Sequence, residues 1–165
     1  WQSSRIFRMG PETPLRIAGP SDIGVVTGLI ADFRDFLEAG SPANAEIEAV
    51  VSILIDDRQT EYLLVGEPEF GFAQVRFRLS VWNGTEDAWL EDVFVREESR
   101  GEGFGRMLVE AAVARARARG CSRIQLETNQ NNENAIALYE AVGFKACHLP
   151  EFWKGAPDIC FTREI

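Results

Sequence analysis

Apolar residues recur along this chain with two different periods, and the switches between the periods divide it into elements. Leu15 to Ala18 is a short strand candidate. From Ile23 to Glu38, Val26, Ile30, Phe33 and Leu37 share one side of a helix. Ser21-Asp22 precedes it as a start signal, with Asp22 near the positive helix end, and Gly40-Ser41-Pro42 stops it. A second helix is predicted over roughly Ala45 to Ile55, with Asn44 as its cap and Ile47, Val50, Val51 and Leu54 on its apolar side. The period then drops to two. Glu61 to Val65 is a strand, Gly66 to Glu69 a turn, and Phe70 to Val81 a long strand whose apolar positions are separated by Gln74, Arg76 and Arg78. Those arginines are expected on a solvated face. Asn83-Gly84 marks another turn and Ala88 to Val95 the next strand, so three consecutive strands form an antiparallel meander.

Helical spacing returns after Gly105. Phe104, Met107, Leu108, Ala111 and Ala112 make a buried stripe on a helix that runs to about Arg119 and stops at Gly120. Arg123 to Thr128 is a strand, Asn129 to Asn132 a polar loop, and Ala135, Leu138, Tyr139 and Val142 one side of a short helix closed by Gly143. A strand pair, about Lys145 to His148 and Ile159 to Ile165, completes the chain. The expected fold class is α+β: one domain over residues 14–165, with a mixed, mostly antiparallel sheet and helices on both faces. Residues 1–13, polar and containing Pro11, read as a loose leader.

Composition narrows the function. With 165 residues and 45% hydrophobic content, one sizeable core is expected. No run approaches the ~18 apolar residues of a membrane span, and no secretory signal is expected. The net charge of −9 disfavours nucleic acid as a partner and suits a cationic substrate. The cysteines, Cys121, Cys147 and Cys160, lack metal-type spacing and the lone His148 has no partner, so no metal site is predicted and free thiols in the cytoplasm are expected.

The candidate chemistry sits where the strand ending at Val95 runs into Arg100-Gly101-Glu102-Gly103-Phe104-Gly105 and then a helix. Such a turn directs backbone N–H groups inward at the positive end of a helix, which suits a diphosphate. A nucleotide-triphosphate loop needs Lys and a hydroxyl after the last glycine, and neither follows Gly105. A dinucleotide fingerprint needs glycine at position 106, which is Arg106. The remaining pattern, R-x-x-G-x-G after a strand, resembles the coenzyme A loop of the GNAT superfamily of N-acetyltransferases. Leu90-Glu91-Asp92-Val93-Phe94-Val95 resembles that family's fourth strand, and is similar to the corresponding strand of spermidine/spermine acetyltransferases. The block from Asn132 to Phe144 resembles its N-x-x-A-I-x-L-Y-x-x-x-G-F signature.

The resemblance implies acetyl-CoA as cosubstrate, lying in a splay between the fourth and fifth strands, Ala88 to Val95 and Arg123 to Thr128. It implies backbone contacts from Val93, Phe94 and Val95 to the pantetheine arm, with an N–H at Val93 or Phe94 on the thioester carbonyl. The amides of Arg100, Gly101, Glu102, Gly103, Phe104 and Gly105 would hold the diphosphate, and Asn132 would cap its helix and touch the arm. Tyr139 is the implied acid for the departing thiolate, Glu91 the candidate base and Asp92 a contact for the cationic acceptor. Alternation would turn Glu91 and Asp92 to opposite faces unless a bulge intervenes. Trp82, Trp89 and Phe36 are weaker candidates for the acceptor pocket. The expected activity is acetyl transfer to a primary amine, with a small cationic amine (a polyamine, aminoglycoside or amino acid) favoured. Protein N-termini or lysines are an alternative acceptor, and a non-catalytic acyl-CoA sensor an alternative class. No nucleic-acid or membrane partner is expected. A homodimer would use the C-terminal strands over 145–165.

Overall fold

The structure is a computed structural model and describes residues 6–7, 13–147 and 158–165. Among the described residues, eight strands form one sheet: β1 (Ile6–Phe7), β2 (Leu15–Ile17), β3 (Thr60–Gly66), β4 (Glu69–Leu79), β5 (Glu86–Val95), β6 (Arg123–Asn129), β7 (Lys145–Ala146) and β8 (Asp158–Glu164). Their order across the sheet is β1-β2-β3-β4-β5-β6-β8-β7. Four helices flank it: α1 (Ile23–Phe36), α2 (Asn44–Leu54), α3 (Phe104–Ala118) and α4 (Glu133–Ala141). The fold is therefore the single-domain α+β arrangement that the periodicity predicts. Ile6–Phe7, where no strand was expected, pairs antiparallel with Leu15 and Arg16. His148 lies outside the described residues.

Only β5 and β6 run parallel among the described pairs, because α3 carries the chain back between them. Their pairing is confined to Ala88 with Ile124 and Trp89 with Gln125. Beyond those residues the two strands part, which creates the expected splay.

The sheet separates two cores. One face carries Leu63, Val75, Leu90, Val95 and Phe161 against Leu108, Ala112 and Tyr139 of α3 and α4. The other carries Tyr62, Leu64, Phe72 and Phe94 against Val26 and Leu29 of α1 and Ile47 and Val51 of α2. The helical stripes are narrower than predicted. Leu37 lies past the end of α1 and is exposed, and Val50 is exposed although its neighbour Val51 is buried. Asn44 is the first residue of α2 instead of its cap; the Glu46 carboxylate accepts from the Ala43 N–H at 2.7 Å, and Asn44 accepts from Arg34 at 2.8 Å.

The expectation of three free thiols fails for two of them. Antiparallel pairing of the last strands brings Cys147 and Cys160 to a Cα separation of 5.2 Å, and they form a disulfide. Cys121 is free and buried. No helix among the described residues is long and apolar enough to cross a membrane.

Candidate active site

At the upper end of β5 the strand changes register. Gln74 of β4 lies opposite Asp92, whereas Val75 lies opposite Leu90, so β5 carries one extra residue, Glu91. The packing shows the same displacement. Leu90 and Val93 both pack on the α3 side, although simple alternation would turn residues three apart to opposite faces. Glu91 and Asp92 lie between them and share the α1–α2 side. A bulge is present, so Glu91 and Asp92 need not face opposite sides of the sheet.

Their environments differ. Glu91 is exposed and accepts a hydrogen bond from Gln74 Nε2 at 2.9 Å. Asp92 is half-buried, and burial followed by the Glu91 charge pushes its pKa up to about 6. No hydrogen bond or ion pair links it to an arginine among the described residues. Two tyrosines register its charge. Tyr62 of β3 lies opposite Gln74; burial, then Asp92 and Glu91, push its pKa up to about 12. Tyr139 of α4 is likewise pushed up to about 12, by burial first and Asp92 second. Its ring sits among Phe144 and Phe161, with centroids 6.0 and 6.3 Å away.

Hydrogen-bond alternation decides which backbone groups of β5 face the splay. The Arg96 N–H donates to Phe70 O at 2.9 Å. In an antiparallel ladder this assigns the Phe94 N–H and C=O to β4 and turns those of Val93 and Val95 away from it. The Phe94 backbone is thus committed to the sheet, while the Val93 N–H is directed into the gap. Val95 O accepts from Arg100 Nε at 2.8 Å. Arg100 itself lies over Phe36, its guanidinium carbon 4.1 Å from the ring centroid, so it braces the turn against the end of α1.

The glycine turn leads directly into α3. Gly101 and Gly103 have φ of 84° and 87°, a region that L side chains rarely adopt. A Cβ at either would meet no protein atom within 4 Å and would project into open space. Among the described residues, the N–H groups of Gly101 through Arg106 donate to no protein acceptor. These are the orphan donors of a helix start, gathered by left-handed glycines into an anion cradle. The cradle is held by Phe104, whose ring is 4.7 Å from that of Phe70, and by Gly105, where a Cβ would lie 3.6 Å from Leu138 of α4. The residues fit a diphosphate. Asn132 caps α4 as expected, its Oδ1 accepting from the Ala135 N–H at 3.2 Å.

On the α1–α2 side, a cleft of about 350 Å³ beside the bulge is lined by Arg76, Phe77, Arg78, Trp89 and Glu91. Trp89 is therefore at a cavity wall, whereas Trp82 is exposed in the β4–β5 connection. Phe36 is exposed beneath Arg100. Sequence reasoning missed Tyr62 and Gln74. Nothing in a strand marks one polar position as buried; the signal that was present is the break in alternation at Leu90-Glu91-Asp92-Val93.

Comparison with known proteins agrees with this fold. The model of the Acetyltransferase (GNAT) family matches residues 27–144. The chain is 27% identical to thialysine N-epsilon-acetyltransferase of Bos taurus over 161 residues, 91% of each chain. It is 31% identical to aminoglycoside N(6')-acetyltransferase type 1 of Stenotrophomonas maltophilia over 139 residues, 79% of this chain and 85% of that one. A crystal structure from Arthrobacter sp. FB24 superposes with a TM-score of 0.78 at 29% identity, covering 86% of this chain and 91% of the other.

Proposed function

Because the chain belongs to the acetyltransferase (GNAT) family, and so uses acetyl-CoA as cosubstrate, we propose that it acetylates a small primary amine bound between the β5 bulge and the splay. Acetyl-CoA brings the activated acetyl group as a thioester; the roles below belong to the protein. The amides of Gly101 to Arg106 hold the diphosphate, and the Val93 and Val95 backbone aligns the arm along the free edge of β5. The Val93 N–H is the donor aimed at the carbonyl to be attacked. Glu91 and Asp92 together attract an ammonium group. Asp92 then accepts its proton, since a carboxylate titrating near 6 is better matched to neutral pH than an ordinary one. This reverses the division of labour expected from sequence, where Glu91 was the base. Tyr139 keeps its proton through the neutral range and donates a hydrogen bond to the departing sulfur. Full transfer to a thiolate of pKa near ~8.5 is uphill from a phenol at about 12, so the hydroxyl acts first as a donor to developing charge.

The observation that carries this reading is the half-buried Asp92, which pairs with no arginine among the described residues, at a bulge beside the splay. The names of two relatives, which specify thialysine and an aminoglycoside as acceptors of those proteins, support a small amine. The test is release of free CoA thiol on incubation with acetyl-CoA and a panel of polyamines, aminoglycosides, amino acids and peptides. Turnover of small amines at rates well above those of peptides is expected. Turnover of peptides alone would transfer the reading to protein acetylation, and tight CoA binding without any turnover would make the chain a sensor.

A further inference from the structure

The cleft beside Glu91 has a charge pattern that the net charge of −9 conceals. Two of its walls are arginines on alternate positions of β4. Arg78 is exposed and pairs with no carboxylate among the described residues; its guanidinium carbon lies 5.6 Å from the centre of the Trp89 ring. Arg76 is 3.8 Å from Asp57 at its nearest approach, and its Nε is buried without a hydrogen-bond partner. Two arginines therefore line a cleft that Glu91, at the bulge, also lines. A polyamine, positive at both ends, would set one ammonium against these arginines. A molecule with an amine at one end and a carboxylate at the other meets opposite charge at both.

The register supplies the length. Arg76 lies opposite Trp89, one same-face row below Gln74 and Asp92. That row is two residues, or about 6.7 Å, along the strand. A chain of several methylenes spans this distance, and the Trp89 ring offers it an apolar surface.

We propose that the acceptor is an amine bearing a carboxylate at its far end, and that Arg76 and Arg78 are the specificity-determining residues that bind this carboxylate while Glu91 and Asp92 take the amine. The inference rests on the acetyltransferase reading and narrows its substrate class. Arginine suits the task because its planar fork matches a carboxylate bidentately.

Matched pairs of acceptors test it: lysine against cadaverine, and 6-aminohexanoate against hexylamine, each followed by thiol release with acetyl-CoA. The carboxylate-bearing member is expected to have the higher kcat/KM, by about tenfold or more, as a charge-assisted pair warrants. Arg78→Gln should raise KM for lysine by about tenfold with little change in kcat, and lower KM for cadaverine, whose far ammonium no longer meets that charge. Arg78→Glu should reverse the preference toward the diamine. Arg76→Gln should act in the same direction, but Arg76 is the more enclosed of the two; the exposed Arg78 keeps the test informative if the Arg76 variant folds poorly. Equal or better turnover of the carboxylate-free member by the unaltered protein overturns this inference and leaves amine acetylation standing. An unchanged lysine KM in both Arg78 variants overturns it as well. Failure of every amine to release thiol overturns the acetyltransferase reading and this inference with it.

Discussion

One strand, β5, contains the dipeptide Glu-Asp twice, and the two copies meet opposite fates. At the lower end, Glu86 receives two hydrogen bonds from Arg119, both 3.0 Å, and Asp87 receives two from Arg123 at 2.9 and 3.1 Å. The Arg119 hydrogen bonds hold the Glu86 carboxyl below its ordinary range. Burial pushes Asp87 up, but hydrogen bonds from Arg123, Asn83 and Ser122 and the Arg123 charge together outweigh it, and its pKa is lowered. At the upper end, beyond the last β5–β6 pair, neither Glu91 nor Asp92 forms an ion pair with an arginine among the described residues, and Asp92 rises to about 6. The difference follows from topology. Where β6 and the end of α3 stay close, their arginines reach β5; where β6 departs, Glu91 accepts a hydrogen bond from Gln74 and its charge acts on Asp92. The closed carboxylates brace the sheet, and the proposed chemistry is assigned to the open ones.

The largest expected effect comes from removing the open carboxylate. Asp92→Asn should lower kcat/KM by about 10²–10⁴-fold in a thiol-release assay at neutral pH. The same change should stabilise the fold at pH 7. A carboxyl whose folded pKa is raised favours the folded state below its unfolded value near ~3.9 and loses that contribution as pH rises through about 6. The gain in Tm should therefore vanish below about pH 4. In the unaltered enzyme, kcat/KM should fall on the acid side with an apparent pKa near 6.

The closed end should behave conversely. Arg123→Met leaves Asp87, whose side chain is 3% exposed, buried without its cation. A loss of about 3 kcal/mol in denaturant unfolding is expected, with kcat per folded molecule nearly unchanged. Tyr139→Phe should lower kcat by about 10²-fold while CoA affinity stays the same; an unaltered rate would remove the hydroxyl from the reaction. The smallest effect is expected of Gln74→Leu, which releases Glu91 from its 2.9 Å hydrogen bond. It should cost a few-fold in acceptor KM through lost positioning, and a change in kcat alone would argue against that role.

Much of this contrast was legible before the structure. The glycine turn is visible because left-handed backbone demands glycine at positions such as 101 and 103. Tyr139 and Asn132 fall in a block whose spacing places them on a helix and at its cap, and they are found there. The bulge is a matter of pairing: whether Glu91 is an extra residue depends on which residue of β4 lies opposite, and β4 carries no mark of it. The choice between Glu91 and Asp92 as base depends on surroundings and not on residue type, so it is not visible in the sequence. Arg76 and Arg78 are expected on a solvated face, and Arg78 is exposed and Arg76 partly so. Alternation separates the two faces of a strand but does not reveal the cleft that these arginines line with Trp89 and Glu91. Glu86 and Asp87 lay outside the predicted strand because two acidic residues beside an Asn-Gly turn look like loop until their arginines are placed.

Everything at the open end presupposes that acetyl-CoA is held at the turn before α3. Calorimetric titration of CoA into the unaltered protein and into Gly103→Val tests this most directly, with circular dichroism to show that both are folded. Saturable binding to the unaltered protein, weakened by at least about 100-fold in the variant, is the predicted result, because the new side chain would strain a φ of 87° and project into the cradle. No heat with the unaltered protein, or equal affinity in the folded variant, would contradict the account.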